Sequence, residues 1–324
     1  MSLLPQEKLS LLVFMGLVLA LYGAEVLILV RAICAIIRHR SPRRVLLSKP
    51  ALVVHVLAAG GLACIAYGRF IEPTRIEVRT MTVPTSKLTA TSFRLVQISD
   101  LHCDRERRNE DAMVRIINSL QPDVVVATGD YLNDATALPR LKVTLSQIKA
   151  PLGAFAVTGN FEVNSWSDLD LFSETGFRLL ARETVSVTKG SESINISGLG
   201  FERVGAWQEL LTDLPDDRFN VFLYHMPDLI EDVAGSGVDL YLCGHTHGGQ
   251  VALPFYGALI TFSRFGKKYE SGRYQVGETM LYVNRGLGLE PRPAPQVRFC
   301  ARPEIAVFNI VPASQVAASE PQRE

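Results

Sequence analysis

An α/β layered domain carried on an N-terminal transmembrane helical hairpin is predicted by three features of this 324-residue chain. Two long apolar runs fill most of the first seventy residues. Beyond them, short strand-like runs alternate with segments of helical period, the rhythm of an α/β fold. Each main strand-like run then ends in a carboxylate, amide or imidazole, where an α/β sheet places its site.

The hairpin comes first. Residues 9–37 are apolar except for Glu25 and Arg31, and residues 51–70 form a second run of spanning length. Neither run has the amphipathic period of a helix packed on a soluble core. Between them stand Arg38, Arg40, Arg43, Arg44 and Lys49 with no acidic residue. The positive-inside rule sets that loop in the cytoplasm, so both termini and the large domain face outward. Ser41-Pro42-Arg43-Arg44-Val45-Leu46-Leu47 can also be read as a twin-arginine export signal, and both readings export the domain. The expected location is thus the cell membrane, with an extracytoplasmic domain; a cytoplasmic domain is the alternative. Glu25, Arg31 and His55 read as packing groups of the hairpin.

Composition narrows the partners. Lys+Arg and Asp+Glu are equal at 33 each, so no overall field favours nucleic acid. Hydrophobic content of 48% is concentrated in the hairpin, marking the bilayer as a partner. The five cysteines are widely spaced and form neither a disulfide framework nor a zinc ribbon.

The remaining elements follow in order. Residues 71–91, punctuated by Pro and Thr, read as a linker, and the domain proper as 92–311. Strands are expected at 93–98, 124–127 and 154–157. Helices are expected at 109–120, where Met113, Ile116, Ile117 and Leu120 share one face, and at 138–148 and 166–174. A hairpin turning at Gly190 spans 184–199. Then come a strand at 220–224, a helix at 228–233, and strands at 238–242, 280–283 and 304–310. The polar tail 312–324 reads as disordered.

The strand ends carry the chemistry. They read Asp100-Leu101-His102, Gly129-Asp130, Gly159-Asn160, Tyr224-His225 and His245-Thr246-His247, the last inside a Gly-rich stretch. Of six histidines, His39 and His55 lie in the hairpin. The other four all fall in these motifs, which core-filling histidines would not do. The donors are hard or borderline and no thiolate is among them, which suits Mn, Fe or Zn and argues against a structural zinc.

Taken together, these motifs resemble the calcineurin-like metallophosphoesterase family over residues 92–310. Lys267-Lys268-Tyr269, Asn284-Arg285-Gly286-Leu287-Gly288 and Arg302-Pro303-Glu304-Ile305 resemble its membrane-associated YkuE-type branch. The resemblance implies a four-layer αββα sandwich and a site for two divalent metal ions. It assigns Asp100, His102, Asp130 and His247 to one ion, and Asp130, Asn160, His225 and His245 to the other, with Asp130 bridging. It further implies hydrolysis of a phosphate ester or anhydride by a bridging hydroxide.

One departure matters. The family usually carries histidine after the Gly-Asn pair, as the proton donor to the leaving oxygen; this chain has Phe161. General acid catalysis supplies about 10²–10⁴-fold, so phosphoanhydrides and activated esters are favoured over alkyl phosphates. Glu162 is read as a brace behind the ligands, with a substitute acid at Glu162 or Asp104 as the other reading. Arg264, Lys267, Lys268 and Arg273 are expected to receive substrate phosphate, and Trp166 to meet an apolar substrate.

The functional expectation is therefore a membrane-anchored phosphohydrolase acting on a lipid-linked or envelope phosphate. Two alternatives stand beside it. One is a cytoplasmic UDP-2,3-diacylglucosamine pyrophosphatase of lipid A synthesis, an activity that the resemblance brings with it. The other is a metal-binding membrane module without hydrolytic activity.

Overall fold

The computed structural model describes residues 3–317. Helix α1 (Pro5–Ile37) and helix α3 (Lys49–Phe70) are joined through the short helix α2 (Arg43–Leu46). Both long helices are apolar enough to cross a membrane, and Leu12, Leu19 and Val56 lie more than half exposed along them. Each begins a little earlier than expected, because Pro5 and Pro50 occupy first-turn positions where no N–H is missed. Tyr22 Oη donates to Ala58 O at 3.1 Å and Glu25 pairs with His55 Nδ1 at 2.7 Å, which fixes the two helices as antiparallel. Glu25 and His55 are therefore packing groups, as expected.

The rest of the chain runs β1 (Glu77–Thr85), β2 (Phe93–Ile98), α4 (Glu110–Leu120), β3 (Val124–Thr128), α5 (Leu138–Ser146), β4 (Ala154–Val157), α6 (Asn160–Ser165) and β5 (Phe177–Leu179). It continues with β6 (Arg182–Lys189), β7 (Glu192–Leu199), α7 (Trp207–Leu211), β8 (Phe219–Leu223), α8 (Ile230–Val233) and β9 (Leu240–Cys243). The small pair β10 (Ala252–Leu253) and β11 (Gly257–Ala258) follows, then β12 (Gly272–Val276), β13 (Thr279–Val283), β14 (Glu304–Pro312) and α9 (Ala313–Ala317).

Two six-stranded sheets result, ordered β1-β14-β2-β3-β4-β5 and β12-β13-β9-β8-β7-β6. Their inner faces meet through Leu95, Val126, Phe155 and Phe308 of one sheet and Ile194, Val221 and Leu240 of the other. Met113 and Ile117 of α4 and Leu141 and Leu145 of α5 cover the first sheet's outer face. Leu211 of α7 and Ile230 and Val233 of α8 pack on the outer face of the second. The strands β2, β3, β4 and β7, β8, β9 are parallel to their neighbours within each set.

Three expectations need correction. The linker 71–91 is largely strand β1, parallel to β14 over nine residues. Val78, Thr80 and Thr82 favour extended backbone, and Pro84 is tolerated because β1 is the sheet edge. No helix forms at 166–174. Asp170 accepts the N–H groups of Phe172 and Ser173, and this local turn wins over helix. At the tail, β14 reaches Pro312 and α9 takes residues 313–317, while the expectation for 318–324 lies outside the described residues.

Candidate metal centre

Five strand ends converge between the sheets. β2 leads to Asp100 and His102, β3 to Asp130, β4 to Asn160, β8 to His225, and β9 to His245 and His247. Asp100, His102, Asp130, His245 and His247 all hold positive φ, between 42° and 70°. Such conformations cost about 1–3 kcal/mol each and persist where surrounding structure enforces them. Two glycines permit the close approach. A Cβ on Gly129, at φ 97°, would stand 2.5 Å from His225 Nδ1, and one on Gly244 would stand 2.1 Å from Asp100 Oδ2.

The side chains form two buried groups, Asp100–His102–His247 and Asp130–His225–His245, with the donor atoms of each group within 4.8 Å of one another. His102 Nε2 faces His247 Nε2 at 3.1 Å, and His225 Nε2 lies 3.2 Å from His245 Nδ1. Asn160 Oδ1 is 3.1 Å from His225 Nε2, so it joins the second group. Asp130 Oδ2 sits between the groups, 3.2 Å from His225 Nε2 and 3.8 Å from His102 Nε2.

The outer nitrogens reveal which way the rings point their lone pairs. His102 Nδ1 donates to Asn133 Oδ1 at 2.7 Å, His225 Nδ1 to Thr128 O at 2.7 Å, and His245 Nε2 to Phe262 O at 3.2 Å. With its outer nitrogen engaged in this way, each ring turns its other nitrogen inward. His247 differs, since its Nδ1 lies 3.1 Å from Arg298 Nη2. Asp130 Oδ2 is fully buried and has no hydrogen-bond partner among the described residues. The inward nitrogens of the neutral His102 and His245, beside His225 and an Asp130 oxygen without a hydrogen-bond partner, fit cations. The two groups are consistent with a dinuclear metal site.

Electrostatics agree with that crowding. Burial pushes His102 down to about 4, His245 to about 3 and His247 well below its usual value, so all three are neutral at pH 7. Burial also disfavours charge on His225, but Asp130 and Asp100 outweigh it and raise the ring to about 10. Burial and the nearby Asp130 lift Asp100 to about 7, against His225. For Asp130, burial is overcome by His225, His102 and the Phe161 N–H, which hold it at about 2.

Glu162 is a brace. Its Oε2 accepts the N–H groups of Asp130 at 2.8 Å and Gly159 at 2.7 Å, and its Oε1 that of Tyr131 at 2.8 Å. The Phe161 ring stands edge-on to His102 with centroids 5.0 Å apart, and its N–H donates to Asp130 Oδ1 at 3.0 Å. Asn160, Phe161, Met226, His245, Phe262 and Glu290 border a cavity of about 220 Å³ at the centre. Its lining is mixed, with Phe161, Phe201 and Phe262 beside Asn160, Asn164 and Glu290.

The four cations expected to receive phosphate are not gathered there. Arg264 pairs with Asp232, Lys268 with Glu231, and Lys267 with Glu270, while Arg273 is exposed on β12. Asp232 and Glu231 of α8 thus pair two of these charges and Glu270 a third. Trp166 lies under the surface, its Nε1 donating to Leu132 O at 2.8 Å, and lines a separate cavity with Leu169 and Phe172. Burial pushes the Cys103 and Cys243 thiols far up, so neither is a thiolate beside the site.

Sequence reasoning missed Glu290, Arg298 and Asn133. Glu290 brings a carboxylate to 3.5 Å from His247 Nε2, and burial with the nearby Asp130 and Asp100 pushes it up to about 8. It follows directly on the Asn284–Gly288 motif, which was the available signal.

A two-sheet α/β domain that aims paired His/Asp groups from its strand ends belongs to the metal-dependent phosphohydrolase class. The chain is a member of the calcineurin-like metallophosphoesterase family. Residues 93–249 match the family model for calcineurin-like phosphoesterase. The uncharacterised metallophosphoesterase YkuE of Bacillus subtilis is 35% identical over 274 residues, covering 80% of this chain and 93% of that protein. The UDP-2,3-diacylglucosamine pyrophosphatase LpxG of Chlamydia trachomatis is 28% identical over 326 residues, covering 80% of this chain and 96% of LpxG. A Bos taurus transmembrane protein with metallophosphoesterase domain is 29% identical over 271 residues, covering 75% of this chain and 59% of that protein.

Proposed function

We infer that this metallophosphoesterase is a membrane-anchored, two-metal hydrolase of a lipid-linked phosphoanhydride or activated phosphoester. The observation that carries the metal assignment is the Asp130 Oδ2, without a hydrogen-bond partner, among three imidazoles whose outer nitrogens are engaged by protein oxygens and whose other nitrogens face inward. Asp100, His102, Asp130 and His247 would hold one divalent ion and Asp130, Asn160, His225 and His245 the other, and Mn, Fe or Zn would suit these donors. Two such ions supply a nucleophile from water at neutral pH and neutralise charge on the phosphoryl oxygens.

The chain's own residues then select the substrate. Phe161 gives the leaving oxygen no proton, and Glu162 is held by three backbone N–H groups. A phosphate leaves without a proton, so an anhydride tolerates this site better than an alkyl ester. Phe161, Phe201 and Phe262 in the cavity lining offer an acyl or other hydrophobic group apolar contacts at its mouth. Its loop touches the hairpin: Glu7 of α1 accepts from Thr261 N at 2.7 Å and Thr261 Oγ1 at 2.8 Å, beside Phe262.

A second reading, a UDP-2,3-diacylglucosamine pyrophosphatase with a cytoplasmic domain, draws on the same missing acid and on the 28% likeness to LpxG. The basic loop Arg38–Lys49 favours the outward-facing domain. The first test is cleavage of bis-p-nitrophenyl phosphate by purified protein with Mn²⁺. Activity that falls by orders of magnitude in Asp130→Asn supports the assignment, and an inert wild-type protein overturns it.

A further inference from the structure

We propose that the turn between β10 and β11, carrying Phe255 and Tyr256, is a second membrane contact that seats in the bilayer interface and turns the mouth of the metal centre toward the lipid headgroups. This rests on the reading that α1 and α3 span a membrane.

The placement follows from register. Tyr22–Ala58 and Glu25–His55 set α1 against α3, and the same antiparallel register carried outward sets Ser10 level with Phe70. Phe70 is the last residue of α3, whose 22 residues are just enough to cross the hydrocarbon layer. Ser10 and Phe70 therefore mark the outer boundary of the bilayer. At that level Ser10 Oγ is hydrogen-bonded to Tyr256 Oη.

Phe255, the neighbour of Tyr256, is the most exposed large apolar side chain of the described residues, and it is held at φ 64°. A bulky residue in that conformation, at a turn tip with no protein contact to reward it, is unfavourable in water. Lys267 lies 4.0 Å from the Tyr256 ring centroid, so a cation flanks the aromatic pair as at membrane interfaces. The occupant is then the same bilayer that receives α1, because exposed Leu12, Val13 and Leu17 continue the apolar surface inward from Ser10.

The consequence for the site is positional. The chain runs from this turn into Thr261, held by Glu7, and then Phe262, whose carbonyl accepts from His245. The mouth thus lies within a few residues of the lipid surface.

Phe255→Trp in the full-length protein, reconstituted into phosphatidylcholine–phosphatidylglycerol vesicles, tests this against the fluorescence of the unsubstituted protein. Leu19→Trp, in the middle of α1, is the control. The added Phe255→Trp emission is expected to be blue-shifted and quenched by nitroxides near the headgroup end of the acyl chains. Leu19→Trp should be quenched by nitroxides near the bilayer centre. Quenching of Leu19→Trp alone, with Phe255→Trp emitting as in water, overturns the interfacial contact but leaves the spanning helices standing. Loss of quenching at both overturns the membrane reading and this inference with it.

Discussion

Glu162 Oε2 accepts the backbone N–H of Asp130 at 2.8 Å, so the carboxylate shared between the two His/Asp groups is positioned by a residue that sits where a substitute acid had been one expectation. Three buried N–H groups depend on that one side chain. An unsatisfied buried donor costs about 1–3 kcal/mol. Glu162→Ala should therefore lower unfolding free energy by about 3 kcal/mol or more, read from denaturant midpoints. Because Glu162 braces rather than protonates, the residual activity should keep the wild-type dependence on leaving-group pKa. A selective loss on poor leaving groups would restore Glu162 as the acid.

Phe161 occupies the position from which an imidazole would reach the leaving oxygen, with its ring edge-on to His102. Phe161→His should raise turnover of alkyl phosphate esters by up to about 10²-fold while changing p-nitrophenyl esters little, since only the poor leaving group needs the proton. Steady-state rates across a series of leaving groups check this. Equal gains across the series would remove the missing acid as the reason for the substrate preference.

Much of this site could be read from the chain because each ligand follows a short apolar strand, and both signals are local. The edge strand β1 escaped that reading because Pro84 and its threonines look like punctuation, and its partner β14 lies at the other end of the sequence. Glu290, Arg298 and Asn133 were invisible for a related reason: irregular chain brings them to the histidines, and no periodicity records that approach. Likewise no local pattern marks Glu7, which is buried against Thr261 of the catalytic domain. The ion pairs of Arg264 and Lys268 were hidden for the same reason, as Asp232 and Glu231 on α8 are distant in sequence.

Above about pH 6.5, where the depressed His102, His245 and His247 no longer add stability with rising pH, the metal-free fold should weaken as pH rises. His225 is raised from 6.5 to about 10, with burial opposing and Asp130 and Asp100 prevailing, so its contribution is complete below 6.5 and is lost as pH passes about 10. Asp100 and Glu162 are both raised to about 7, chiefly by burial and then by Asp130, so their contributions are lost as pH rises from the usual carboxylate range through about 7. All three signs agree over the range from about 4 to 10. Binding a cation removes the His225 proton and neutralises the carboxylates, so Mn²⁺ should raise Tm more near pH 8.5 than near pH 6.5. Thermal melts of chelator-stripped and Mn²⁺-loaded protein measure the difference. A smaller Mn²⁺ shift at the higher pH would contradict the assignment of these groups to the metals.

The orientation of the hairpin decides which pool of phosphorylated lipid the mouth can meet. Arg38, Arg40, Arg43, Arg44 and Lys49 form an uninterrupted basic loop between α1 and α3, and loops of that length obey the charge bias. The catalytic domain is joined to the opposite ends of both helices: Glu7 of α1 binds Thr261, and Arg298 N donates to Gly68 O near the end of α3 at 2.9 Å. With α1 and α3 spanning a bilayer as proposed, loop and domain lie on its opposite faces. A phosphatase reporter fused after Pro312 should be active outside the cytoplasm, and replacing the five basic loop residues by Asn should reduce that outward activity. A reporter active only in the cytoplasm would place the metal centre with nucleotide-linked lipids and favour the pyrophosphatase reading.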